Sequence, residues 1–213
     1  MKKNRLIVYD LDGTLIDSAG VVTVLLNNLR KDLGKEPLLE KDLVPWLSLG
    51  GKDLMQHALE IKASQSQYFL NIFRERYHDT PTPGSSVFKG VKDCLNLLSE
   101  SNYFLAISTN KPRSLAEKVL NETGLIQYFD CVNAGGDLVN KKPHVSNLLF
   151  CQNYFDVKND QTFFVGDSRV DQELAFSGKV PFIFYESGYN DGVNKEKVFA
   201  ILKQHQDLPG ILN

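Results

Sequence analysis

Apolar residues change their spacing along the chain, and the change marks two kinds of architecture. Leu6, Ile7, Val8 and Tyr9 are contiguous and stop at Asp10. Three of the four are β-favouring, which predicts a short buried strand. Over 19–33 the spacing becomes helical, through Val21, Val22, Leu25, Leu26, Leu29 and Leu33, with Gly34 as the stop. A short apolar stretch over 43–49 carries the only tryptophan, Trp46, and Gly50-Gly51 breaks it. Two further helices are expected over 53–61 and 65–76. Residues 18–80 therefore read as all-helical, and the Pro/Ser/Gly-rich stretch 80–86 reads as a loop or hinge.

Beyond the hinge, helices and apolar runs alternate. Helices are expected over 90–99, 112–121, 143–154 and 170–177, and strands over 103–107, 128–132, 162–165 and 182–185. Alternation of this kind implies an α/β fold with a doubly wound parallel sheet. Because the helical block follows the first strand, it reads as an inserted small helical cap (18–80) on a core made of 1–17 and 81–213. The tail 193–213 is expected to end in a short surface helix.

Composition narrows the function classes. The chain has 213 residues, 42% of them hydrophobic and 23% charged, which suits a globular fold. A net charge of −2 with no basic run argues against a nucleic-acid partner. The apolar run after the basic N-terminus is too short for a signal peptide, and no stretch approaches a membrane span. Cys94, Cys131 and Cys151 are odd in number and contain no C-x-x-C pair. Structural disulfides and zinc are not expected, and a reducing cytoplasm is.

Candidate chemistry gathers at strand ends. Asp10 and Asp12 are two apart, so in extended backbone both face one side, and Gly13 permits a tight turn after them. Three more stretches stand at the same end of their strands: Ile107-Ser108-Thr109-Asn110-Lys111-Pro112, Gly135-Gly136-Asp137 running on to Lys141-Lys142-Pro143, and Val165-Gly166-Asp167-Ser168-Arg169 with Asp171 beyond. In open α/β sheets ligands bind at that end. Asp10, Asp12, Asp167 and Asp171 would repel one another there unless a cation intervened. Mg²⁺ suits carboxylate and phosphate oxygens. Lys142 would add a compact positive charge, and the Thr109 hydroxyl would donate to phosphate oxygens.

The string D-L-D-G-T-L-I-D-S and the three later stretches, in this order, resemble the four motifs of the haloacid dehalogenase superfamily, in its phosphatase branch. The resemblance spans roughly residues 6–190. It implies that Asp10 is nucleophile and metal ligand, and that Asp12 is acid/base and metal ligand through its carbonyl. It further implies that Thr109 binds phosphate with Asn110 beside it, that Asp167 ligates metal, and that Asp171 supports Lys142 or a metal-bound water. Lys142, directly before Pro143, matches the family lysine better than Lys141. Within the superfamily, I-S-T-N-K-P, G-D-S-R and the late Gly188-Tyr189-Asn190 look most like phosphoglycolate phosphatases. The third motif departs from the usual K-P-x-P, since His144-Val145 follow Pro143.

The expected activity is Mg²⁺-dependent hydrolysis of a small phosphorylated metabolite, phosphoglycolate foremost, by a monomer or homodimer. A phosphosugar mutase would share the core and differ in its cap. Two rivals come from another class: a flavodoxin-type phosphoacceptor, whose acceptor Asp lies on a middle strand and which has no inserted cap, and a non-catalytic phosphate-binding protein, against which the intact Asp10, Asp12, Lys142 and Asp167 speak. Asp12 also argues against the dehalogenase branch, and no P-loop signature is present. The cap loop at 48–52 is the candidate specificity element, with Gly13, Gly51 and Lys52 as possible substrate contacts.

Overall fold

The computed structural model describes residues 3–47 and 51–212. Strand β1 (Arg5–Tyr9) is followed by four helices: α1 (Ala19–Asp32), α2 (Glu40–Leu47), α3 (Gly51–Leu59) and α4 (Ala63–Asp79). The alternating half contains α5 (Val91–Ser99), β2 (Tyr103–Pro112), α6 (Arg113–Glu122), β3 (Cys131–Gly135), α7 (Ser146–Phe155), β4 (Thr162–Gly166), α8 (Arg169–Ser177) and β5 (Phe182–Tyr185). It ends in β6 (Ala200–Leu202) and the short α9 (Leu208–Ile211).

All six strands are parallel, in the order β3-β2-β1-β4-β5-β6. The first strand lies in the middle because the chain winds outward from it in both directions. That makes the C-terminal end of β1, between β2 and β4, the topological switch point. Successive residues of β1 face opposite layers. Ile7 and Tyr9 pack into one hydrophobic cluster with α5, α6 and α9, and Leu6 and Val8 into another with α7 and α8. All four are fully buried, so the strand reads as a continuous apolar run. Burying each such side chain is worth roughly 1.5–3 kcal/mol.

The helical block joins the first of these clusters. On α4, Leu70, Phe73 and Tyr77 form one buried face at helical spacing. On α1, Val22, Leu25, Leu26 and Leu29 do the same. Arg30 fastens α1 inside the block: it is 5% exposed and donates to the carbonyls of Glu36 and Ala58, each at 2.6 Å. The two linkers to the core meet each other, with Ile16 bridged to Val87 and the Asp17 amide donating to Ser86 at 2.7 Å.

The third strand and the tail depart from expectation. A strand was expected over 128–132, but Ile126–Tyr128 form a 3-10 turn and β3 begins at Cys131. Its apolar start belongs to the turn that packs against α5 and α6. Strand β2 continues past Ile107 through an irregularity between Ser108 and Pro112, so α6 starts one residue later. The tail contributes a sixth strand as well as the short helix, and His205 in it is buried. Three residues of β6 carry no alternation long enough to read.

Candidate active site

The first motif places two carboxylates at the switch point. The Asp10 amide donates to the Val165 carbonyl at 2.9 Å, which extends the β1–β4 ladder by one bond and fixes where its side chain leaves the sheet. Gly13 then turns with φ +82°, and a Cβ there would lie 2.3 Å from Asp167 Oδ2 and 2.8 Å from the Tyr189 ring. Gly13 is absent from the cavity lining, and its lack of a side chain lets the loop lie against Asp167.

Lys142 reaches this cluster from the loop before α7. Its Nζ lies 2.8 Å from Asp10 Oδ1 and 2.7 Å from Asp171 Oδ1, and the residue is 3% exposed. Lys141 is exposed. Asn110 explains how the loop is held: its carboxamide donates to the Lys142 carbonyl at 3.2 Å and accepts from the Lys142 amide at 2.8 Å. Asn110 lines the cavity, and its polar atoms bind this backbone.

The fourth motif supplies the remaining carboxylates. Asp167 Oδ1 accepts from the Thr14 hydroxyl at 2.8 Å and Oδ2 from the Tyr189 amide at 2.7 Å. Ser168 and Asp171 form a capping box at the start of α8, and the Ser168 hydroxyl donates to Asp171 Oδ2 at 2.6 Å. Asp171 thus faces Lys142 with one oxygen and the helix start with the other.

Charge is concentrated and dry. Burial and the neighbouring Asp171 push Asp10 up to about 7, against the pull of Lys142. Burial, Asp171 and Asp10 push Asp167 well above the carboxylate range, against the Tyr189 and Thr14 hydrogen bonds. Burial works against the charge on Lys142, but Asp10 and Asp171 outweigh it and hold its pKa above the usual lysine value. One oxygen from each of Asp10, Asp167 and Asp171 lies within 4.8 Å of the others. Three carboxylate oxygens this close, facing a single lysine, are a donor set that fits a hard divalent cation. Asp171 is held by Lys142 and Ser168, and Asp167 by Thr14 and Tyr189.

These groups form the floor of a cavity of about 260 Å³ between core and helical block. Asp10, Asp12, Thr109 and Lys142 line it from the core, and Leu54, Leu70, Phe73 and Arg74 from the helices. Gly51 lines it too, whereas Lys52 is exposed on the first turn of α3 and stays off the lining. Among the cations of the helices, Arg74 lines the cavity. The loop residues 48–50, also expected at the site, lie outside the described residues.

Four lining or supporting residues escaped the sequence reading. Lys111 sits inside the S-T-N-K-P stretch, and its Nζ lies 3.0 and 3.2 Å from the two Asp12 oxygens. Tyr77 looks like one more apolar position of α4, yet its hydroxyl is 2.9 Å from Lys111 Nζ. Arg74 precedes it by three residues, and Thr14 stands within the first motif. Only Lys111 and Thr14 carried a local signal, as polar residues inside motifs. Tyr189 ties Asp167 to the first linker, because its hydroxyl accepts from the Ser18 amide at 2.9 Å.

A model of the haloacid dehalogenase-like hydrolases matches residues 7–185. The chain belongs to this family. A phosphoglycolate phosphatase from Cupriavidus necator is 34% identical over 190 residues, spanning 86% of this chain and 81% of that protein. One from Photorhabdus laumondii is 31% identical over 197 residues, spanning 90% and 84%. A crystal structure of a predicted phosphoglycolate phosphatase from Haemophilus somnus superposes over 100% of both chains, with a TM-score of 0.87 and 25% identity. This haloacid dehalogenase-like chain is accordingly a phosphoric monoester hydrolase with the doubly wound core and inserted helical cap of its family. No helix among the described residues is long and apolar enough to cross a membrane.

Proposed function

We propose that the protein hydrolyses a small phosphate monoester, with 2-phosphoglycolate foremost, through a phosphoryl-enzyme on Asp10 and with Mg²⁺ as its cofactor. The observation that carries this reading is the placement of Asp10. It stands at the switch point, 2.8 Å from Lys142, and opens with Asp12 and Thr109 onto a small cavity under the cap.

An Asp10 oxygen attacks phosphorus as the bond to the ester oxygen breaks, leaving the phosphoryl group on the carboxylate. Asp12 gives its proton to the departing oxygen, then takes one from the water that attacks the phosphoryl-enzyme, so inorganic phosphate leaves and Asp10 is regenerated. Thr109 and Lys142 bind the phosphoryl oxygens, and Lys142 keeps Asp10 oriented. Asp10, Asp167 and the Asp12 carbonyl would hold Mg²⁺, which neutralises charge and acts as a Lewis acid on the phosphoryl group.

The substrate assignment draws on the names of the relatives and on the size of the cavity, about 260 Å³. A protein phosphosite or a nucleic-acid end is too large to be enclosed. Three buried free cysteines suit the cytoplasm as the site of action. Phosphate release from a panel of phosphorylated metabolites tests the reading. EDTA should abolish turnover and Mg²⁺ restore it; full activity in the metal-free protein overturns the metal role. Phosphoglycolate turning over no faster than an aryl phosphate overturns the substrate and leaves the phosphatase.

A further inference from the structure

Asp12 has one side-chain partner among the described residues, Lys111, which reaches both of its oxygens. Lys111 in turn has one further acceptor, the hydroxyl of Tyr77 at 2.9 Å, and its ammonium lies 4.3 Å from the centre of the Tyr77 ring. Three acceptors meet the three N–H bonds of the ammonium. The Lys111 side chain is 8% exposed, so water does not readily replace any of them. The Lys111 amide also donates to the Thr109 hydroxyl oxygen at 3.2 Å, which fixes the root of the side chain on the β2 extension.

The members of this chain come from different parts of the fold. Asp12 and Lys111 belong to the core. Tyr77 belongs to the last helix of the cap and is held there by the same buried face as Leu70 and Phe73. A lysine has four side-chain torsions, and with two carboxylate oxygens alone it swings with the carboxylate. A fixed third acceptor removes that freedom. The Tyr77 hydroxyl is such a fixed point, because its ring is packed in the cap core.

We propose that Tyr77 is a positioning residue for the proton-transferring carboxylate: through Lys111 it aims Asp12 at the leaving-group oxygen when the cap is seated. This role is one of aim and rests on the reading of Asp12 as acid/base given above. In the step concerned, the phosphorus–oxygen bond of the ester breaks, its electron pair stays on the oxygen, and the Asp12 proton is delivered there. An alkoxide needs that proton. A nitrophenolate is stable without it.

The test compares kcat/KM for 2-phosphoglycolate and for p-nitrophenyl phosphate, with Mg²⁺ present. This constant covers the steps up to departure of the leaving group, so later hydrolysis of the phosphoryl-enzyme does not blur it. Tyr77→Phe keeps the ring and loses the hydroxyl. It should lower kcat/KM for phosphoglycolate about 10- to 100-fold, part of the 10²–10⁴ that a general acid contributes, and leave the aryl ester within about threefold. Lys111→Gln should show the same selective loss and serves if Tyr77→Phe folds poorly. Looser packing of the cap alone would lower both substrates alike, and that result, or a gain on phosphoglycolate, overturns the proposal. Asp12→Asn separates the two levels of inference. If it discriminates between the substrates and Tyr77→Phe does not, the positioning role is wrong and the phosphatase mechanism stands. If Asp12→Asn does not discriminate, the acid role itself fails and the positioning role with it.

Discussion

On the core side of the cavity every carboxylate has a partner: Asp10 and Asp171 share Lys142, Asp167 takes Thr14 and Tyr189, and Asp12 takes Lys111. On the cap side the wall is mostly apolar, through Val22, Leu47, Leu54, Leu70 and Phe73, and the cation on it is the exposed Arg74. The difference separates two tasks. On the function proposed above, the core groups meet a phosphoryl group, whose charge and shape are the same in every substrate, so they are held in place in advance. The rest of the substrate varies between enzymes, and a wall of side chains on separate helices can be altered without disturbing that machinery.

Breaking the core side should have the largest effect. Asp10→Asn keeps the shape and removes the attacking oxygen, and kcat should fall by several orders of magnitude. Circular dichroism should remain native, because Asp10 ends the strand and lies outside both hydrophobic clusters. Turnover near that of the wild type, with deamidation excluded by mass spectrometry, would remove Asp10 from the mechanism.

A second experiment asks whether the rigidity of the core has a cost in acid. His205 is 1% exposed, and its Nε2 lies 2.9 Å from the Thr14 carbonyl, an acceptor only, so the ring proton sits there. The other three histidines, His57, His78 and His144, are exposed. Burial lowers the His205 pKa from 6.5 to about 4, while the Thr14 carbonyl opposes the shift. The unfolded chain therefore binds the proton first as pH falls. The stability contributed by neutral His205 is complete above about pH 6.5 and lost progressively down to about pH 4. At 1.36 kcal/mol per pH unit this amounts to about 3 kcal/mol. Urea midpoints measured across that window should fall with acid, and His205→Gln, which keeps a donor toward Thr14, should flatten the slope. An unchanged slope would place the acid sensitivity elsewhere.

Sharpening the cap side calls for a smaller effect. Arg74→Ala should raise KM for phosphoglycolate about tenfold, equivalent to about 1.4 kcal/mol, and leave p-nitrophenyl phosphate nearly unchanged. Lys52→Ala should change neither, since Lys52 is off the lining. Equal effects on both substrates would mean that Arg74 does not read the second anionic group. An effect of Lys52→Ala alone would return that task to the 48–52 loop.

The sequence by itself determined the alternation of helices and strands from α5 to β5, the placement of a helical block after β1, and the motif residues at the strand ends. Those features are local: a contiguous apolar run, a helical spacing or a D-x-D-G turn is complete within a dozen residues. Asp10, Asp12, Lys142 and Asp167 were legible because each stands in such a motif at a strand end. Only the tertiary structure decided that Arg74 rather than Lys52 faces the cavity, since the rotation of a helix about its axis is set by what its apolar face packs against. It also decided that Tyr77 meets Lys111 across 34 residues and that Lys111 meets Asp12 across 99. No spacing rule reaches that far, because such contacts exist only after β1, β2 and α4 have been brought together by the burial of their apolar faces.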